Sequence, residues 1–369
     1  MHALELALWL LLALGLALAA WLALKGRRRS RRGKVKSRVV KVARARIDAS
    51  PLPKLVEDGD DLEITVIEEP LDLEELMELS ELEELRPSRV DLIYQEQAEP
   101  DEPTAPAARI LTSACGDTHC GRQRSKNEDR LLVFPERSMF VVADGMGGHA
   151  GGAIASELAV RALHEAYERR DFRGTVDADG VLPRRARELS LAIQQANHAI
   201  YSQASTTPQL AEMGTTLVVA KFSPRKQRVY IGHVGDSRCY RLRDGRLRQL
   251  TTDHNLASVG LRGPHDGRLI RALGIQPSVT IDLIIDRPQP NDVYCLCSDG
   301  LSKMVGDDEI EQMLERQPDL DEAVRALIDL ANERGGRDNV TVVLVRVIEA
   351  LPSGSARHLH EGQHQRQHG

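Results

Sequence analysis

The 369-residue chain has a net charge of −6 and five cysteines, a length that allows one large catalytic domain with extra segments or two modest domains. Its charge is segregated: residues 25–46 hold twelve Lys and Arg and no acid, whereas residues 57–102 hold nineteen Asp and Glu against two Arg. The remainder is close to neutral, which argues against a nucleic-acid-binding surface, and an odd cysteine count without a CxxC pair argues against a disulfide framework or zinc site and fits a reducing compartment.

The first element is apolar. Leu6 to Leu24 is an uncharged stretch rich in Leu and Ala, with Trp9 and Trp21 near its ends. This is about the length that crosses a hydrocarbon core of roughly 30 Å, and the tryptophans suit the two interfaces. A cleaved signal peptide is the alternative, but Glu5 replaces the expected basic start and the basic run follows the apolar stretch directly. Residues 1–24 are therefore read as a transmembrane anchor. Lys25, Arg27, Arg28, Arg29, Arg31 and Arg32 then place everything C-terminal of it on the cytoplasmic side of the membrane by the positive-inside rule. The same cluster suits anionic headgroups, or serves topology alone.

Residues 25–109 are read as a flexible linker, basic and then acidic, interrupted by Pro51, Pro53, Pro70, Pro87, Pro100, Pro103 and Pro106. A flexible segment of this length has a reach of roughly 50 Å. Within it, Leu73, Leu76, Leu79, Leu82 and Leu85 are spaced by three. That spacing predicts a short acidic helix over 71–85, solvated or serving as a docking site.

From Ile110 the texture changes to that of a globular domain, read as residues 110–348. Runs rich in Val, Ile and Thr predict strands at 139–143, 215–221, 229–234, 279–285, 293–297 and 340–347. Helices are predicted at 153–170, 184–203, 307–316 and 320–334, and Arg243-Asp244-Gly245-Arg246 reads as a hairpin turn. Strands in succession, with helices grouped, predict an α+β fold with antiparallel sheets covered by helices rather than a doubly wound parallel fold. The His-rich tail, 349–369, reads as disordered.

Carboxylates recur where these apolar runs end. Asn127-Glu128-Asp129, Asp144-Gly145-Met146-Gly147-Gly148-His149, Asp299-Gly300 and Asp338-Asn339 are four such placements, and Gly235-Asp236 lies between two strands. A single Asp-Gly is usually a turn. Several aspartates at the ends of buried strands are costly unless paired or bound to metal. Oxygen-only ligands suit Mg²⁺ or Mn²⁺. A pair of such ions about 3.5–4 Å apart binds a phosphoryl group and ionises water, and Arg124 has the donor fork to hold phosphate oxygens. Residue types alone reach metal-assisted phosphoryl chemistry, without separating hydrolysis from transfer.

The ordered series GRQRSKNED, VVADGMGGHAGG, GTTLVVA, GHVGDSRCYRLRDG, LTTDHN, RALG, CSDGLS and DNVTVVLV resembles the PPM (PP2C-type) protein serine/threonine phosphatases of bacteria. The resemblance implies a four-layer αββα sandwich of two antiparallel sheets, with the metal site at one end. It implies that Asp144 bridges two Mn²⁺ or Mg²⁺ ions and that Gly145 offers its carbonyl to one of them. Asp299 and Asp338 are implied ligands of the other ion, and Glu128 and Asp129 bind directly or through water. Arg124 is the implied phosphate-binding residue, and hydroxide bridging the metals the implied nucleophile. Substrates would be phosphorylated proteins: those of Ser/Thr kinases, or the kinases themselves.

Four departures qualify the resemblance. Met146 stands where eukaryotic members carry a proposed acid histidine, as in many bacterial relatives, and His149 nearby reads as a residue at the start of a helix. Lys303 stands where many bacterial relatives have an aspartate that helps Asp236 hold a third metal. A lysine repels that ion or replaces its charge, so the third site is expected to be weak or absent, with Asp236 a candidate partner of Lys303. His119 replaces a usual acid, and the segment 253–271, a flap beside the active site in relatives, is short. The rival readings are a pseudophosphatase that binds phosphoproteins, and a membrane scaffold acting through the acidic linker.

Overall fold

The computed structural model describes residues 53–58, 61–66, 88–95, 98, 104–105, 107–147, 150–178, 181–261, 263 and 267–350. The predicted anchor, the predicted helix over 71–85, His149 and the tail beyond residue 350 lie outside the described residues. Among the described residues no helix is long and apolar enough to cross a membrane. Two units divide the chain at Leu79 and Ser80. In the first, β1 (Pro53–Asp58) and β2 (Asp61–Val66) form an antiparallel hairpin, within the stretch expected as linker.

The second unit begins earlier than residue 110. Its elements are β3 (Ser88–Tyr94), β4 (Ile110–His119), β5 (Asp129–Phe134), β6 (Met139–Met146), α1 (Gly151–Arg169), β7 (Val176–Ala178), α2 (Arg184–Thr206), β8 (Gly214–Thr215), β9 (Leu217–Ser223), β10 (Arg228–Val234), β11 (Arg238–Arg243), β12 (Arg246–Gln249), β13 (Ile281–Asp286), β14 (Val293–Cys297), α3 (Asp299–Ser302), α4 (Asp307–Arg316), α5 (Leu320–Glu333) and β15 (Val340–Glu349). The β11–β12 turn is the predicted hairpin, with Asp244 and Gly245 both at positive φ, as a two-residue turn of that hand requires.

Two sheets stack. The larger runs β5-β6-β9-β10-β13-β3-β7, with β8 on the end of β6; the smaller runs β12-β11-β14-β15-β4. Alternation along the strands builds the layers. Phe140, Val142, Val218, Ala220 and Phe222 face the smaller sheet and meet Tyr294, Leu296, Val343 and Val345. Val141, Ala143, Val219 and Leu217 face the other way, against α1 and α2. On the far side, Cys295, Val342 and Leu344 pack under α4 and α5. The order helix, sheet, sheet, helix is the expected α+β sandwich.

Two expectations are corrected. The smaller sheet is antiparallel throughout, but the larger is mixed, because β3 pairs parallel with β13 and with β7. No tight turn links β3 to its neighbours, so nothing enforces an antiparallel approach. Likewise Ser88–Tyr94, read as linker, is an integral strand, with Val90 buried and Arg89 exposed. All five cysteines are free thiols.

Candidate active site

β6 carries the first acid. Buried Phe140–Ala143 lead to Asp144, which stands in register opposite Asp129 of β5. The Thr216 amide donates to the Asp144 carbonyl at 2.8 Å, and the Asp144 amide donates to Thr216 Oγ1 at 3.1 Å. A Cβ on Gly145 would lie 2.1 Å from the Gly152 carbonyl oxygen and 2.7 Å from that of Glu128. Only glycine lets β6 approach the start of α1 and the Glu128 backbone, just before β5, this closely. The Ser156 hydroxyl of α1 also donates to the Glu128 carbonyl, at 2.6 Å.

The smaller sheet supplies the facing acids. Asp299 opens α3 directly after β14, and Asp338 lies just before β15. Asn339 joins them to the loop that carries Arg124 and Glu128. Its Oδ1 accepts from the Glu128 amide at 2.8 Å, and its Nδ2 donates to the Cys120 and Lys126 carbonyls at 2.9 Å each. Arg124 Nη2 donates to Asp338 Oδ2 at 2.8 Å. Asp129 is sealed behind the wall, its Oδ2 accepting from Ser298 Oγ at 2.7 Å and Thr341 Oγ1 at 2.6 Å.

One cavity gathers Arg124, Glu128, Asp144, Gly145, Asp236, Asp299, Lys303 and Asp338. Of the residues expected to hold metal or phosphate, all but Asp129 line it, and Asp129 supports it from behind. Met146, Thr216, Gly267 and Leu269 add to the wall, the last two from the 253–271 segment. His119 does not join the acids: its Nδ1 accepts from the Gly121 amide at 2.9 Å.

The acids repel one another. Burial, then Asp129, Asp299, Asp236 and Asp338, hold the Asp144 carboxyl well above the ordinary range. Burial and the Asp299 charge push Asp236 up to about 7, with Lys303 opposing, and burial pushes Asp129 up to about 6 against its two hydroxyl donors. Asp299 Oδ1 is buried without a hydrogen-bond partner. Such a cluster is costly by itself and is relieved by hard divalent cations. The donor set therefore fits Mn²⁺ or Mg²⁺.

Lys303 corrects one expectation. Its Nζ pairs with Asp299, not with Asp236. Four residues separate the two along a helical turn, which brings their side chains to one face. Sequence reasoning gave no role to Thr216, Ser298, Asn339 and Thr341, although all four lie within or beside the motifs. Their small polar side chains were the available signal.

The residues 115–345 match the family model for protein phosphatase 2C. The serine/threonine phosphatase stp of Listeria welshimeri is 39% identical over 242 residues, spanning 62% of this chain and 93% of that protein. The serine/threonine protein phosphatase PstP of Mycobacterium tuberculosis is 36% identical over 243 residues, spanning 62% of this chain and 44% of that one. A crystal structure of the PstP catalytic domain in complex with two manganese ions superposes with a TM-score of 0.57 at 35% identity, covering 65% of this chain and all of that one. PppA of Pseudomonas aeruginosa gives 0.56 at 32% identity, covering 66% and 100%. With its fold, its carboxylate cavity and these similarities in agreement, the chain belongs to the protein phosphatase 2C family.

Proposed function

We infer that this protein is a metal-dependent serine/threonine phosphatase that hydrolyses phosphoserine and phosphothreonine on other proteins. The observation that carries the reading is the cavity in which Glu128, Asp144, Asp236, Asp299 and Asp338 converge beside Arg124. Asp144 and the Gly145 carbonyl would hold one ion, Asp144, Asp299 and Asp338 the other, with Glu128 alongside. When bound, the two ions supply charge neutralisation for the phosphoryl group and activation of water. Arg124 orients the phosphoryl oxygens through its donor fork. Asn339 sets Arg124 and Glu128 at a fixed distance from Asp338 by tying their loop to the start of β15. Met146 and Leu269 give the wall its apolar side chains.

Residues 1–24 are proposed to anchor the enzyme in the inner membrane with its catalytic unit in the cytoplasm, which would favour substrates of membrane-associated kinases, or those kinases themselves. The support is the uncharged stretch of residues 6–24, its terminal tryptophans and the basic run after it. A phosphoprotein-binding module without catalysis finds no favouring observation, since Asp144, Asp299 and Asp338, the acids of the two-ion set, are all present in the cavity. The test is turnover of a phosphothreonine peptide and of p-nitrophenyl phosphate with Mn²⁺. Activity no greater than that of Asp144→Asn would overturn the reading.

A further inference from the structure

Next to the Gly235-Asp236 corner lies a buried polar cluster that the reaction does not use. His233, His254 and Asp282 bring their ligand-type atoms within 4.8 Å of one another. His233 and Asp282 are paired in register across β10 and β13, and the two imidazole rings pack at 4.6 Å between centroids, tilted by 41°. The composition suits a divalent cation, but the hydrogen bonds do not. His254 Nδ1 accepts from the Gly235 amide at 3.1 Å, so the ring proton sits on Nε2 and faces Asp282 Oδ2, 3.1 Å away. Arg271 Nη1 meets the other oxygen of Asp282 at 2.7 Å and lies 3.2 Å from His254 Nε2. A guanidinium at this distance opposes a bound cation.

What the cluster joins is more informative. The backbone of His254 also donates to the Gly235 carbonyl at 2.7 Å, while its own carbonyl accepts from the Ile270 amide at 2.9 Å. His254 therefore grips the Gly235-Asp236 corner twice. Through Asp282 and Arg271 it also grips the far end of the 253–271 segment. These are two walls of one cavity: Asp236 lines it from the corner, and Gly267 and Leu269 line it from the segment. Gly235 is at φ 109°, and a Cβ there would lie 2.6 Å from Thr216 Cβ. The corner thus has one tight seating, against the residue that also bonds Asp144.

We propose that His254 is a positioning residue that couples the wall formed by the 253–271 segment to the Gly235-Asp236 corner, its two ring nitrogens each holding one side. The kinetic consequence rests on the phosphatase reading above; the structural coupling does not.

Two variants separate the nitrogens. In His254→Asn the amide oxygen occupies the place of Nδ1 and still accepts from Gly235, but the side chain does not reach Asp282. In His254→Gln the terminal amide reaches Asp282 and the Gly235 acceptor is lost. Hydrogen exchange in the full chain reads each link: the Gly235 amide reports on the corner, and the Leu256 amide, which donates to the Arg268 carbonyl at 3.0 Å, reports on the segment. His254→Asn is expected to keep Gly235 protected, to speed exchange at Leu256, and to raise KM for a phosphopeptide about tenfold with little change in kcat. His254→Gln is expected to keep Leu256 protected, to speed exchange at Gly235, and to lower kcat about tenfold. Variants indistinguishable from each other, or with both amides as protected as in the parent protein, would overturn the coupling. A parent protein without turnover would instead overturn the phosphatase reading, with the exchange data still deciding the coupling.

Discussion

Asp129 and Asp144 stand opposite each other in register across β5 and β6, one sealed behind the cavity wall and the other in it. Asp129 is fixed by Ser298 from the end of β14 and Thr341 from β15, so its charge ties the two sheets at the site. That charge is, after burial, the largest cause of the raised Asp144 carboxyl. A cation held by Asp144 relieves this repulsion. Asp129→Asn should therefore weaken Mn²⁺ binding by about tenfold or more, as loss of a supporting group around a metal site does. Calorimetric titration with Mn²⁺ measures it. Unchanged affinity would reduce Asp129 to a packing role.

Lys303 pairs with Asp299 while lying close enough to Asp236 to oppose its raised pKa. We propose that this ammonium stands in for a third cation. Replacing it by an acid reverses the local charge, so Lys303→Asp should add one Mn²⁺ site to the calorimetric stoichiometry. An identical stoichiometry in variant and parent would count against that role.

Arg124 is half exposed and bonded to Asp338 through one nitrogen, which leaves further donors of its fork for a ligand. Arg124→Lys keeps the charge and loses the planar fork. We expect kcat/KM for a phosphopeptide to fall about 10- to 100-fold, with Arg124→Ala lower still. Steady-state kinetics of the two variants check the order.

His233 gives a pH signature. Burial, and then the neighbouring His254, lower its imidazole from the usual 6.5 to about 3. Between those values the unfolded chain binds a proton that the folded protein does not. Its contribution to stability is therefore complete above 6.5 and lost as the pH falls toward 3. The raised carboxyls of Asp129, Asp144 and Asp236 act in the opposite sense. His233→Leu should accordingly lose less stability on acidification than the parent. Urea midpoints from about pH 7 to about pH 4 test the difference; parallel curves would refute it.

Much of the site was legible because an aspartate at the end of a buried apolar strand is expensive without a cation, and Asp144, Asp299 and Asp338 each occupy such an end. β3 was hidden by its setting. It lies in an acidic, proline-interrupted stretch, and only the alternation of Val90, Leu92 and Tyr94 marked it as a strand. The partner of Lys303 depended on helical phase at α3, which a four-residue helix does not announce.

The sequence by itself determined which residues are acidic, where the apolar strands end, and hence that hard-cation phosphoryl chemistry was within reach. The tertiary structure decided which acid faces the cavity and which stands behind it, that Lys303 chooses Asp299, and that His254 joins two walls of the site. The physical reason is distance. Strand ends and caps follow from neighbours in the chain, and Lys303 meets Asp299 through the helical phase of α3, whereas the seating of Asp129 and the contacts of His254 join residues on separate elements, and only the assembled sheets and loops fix them.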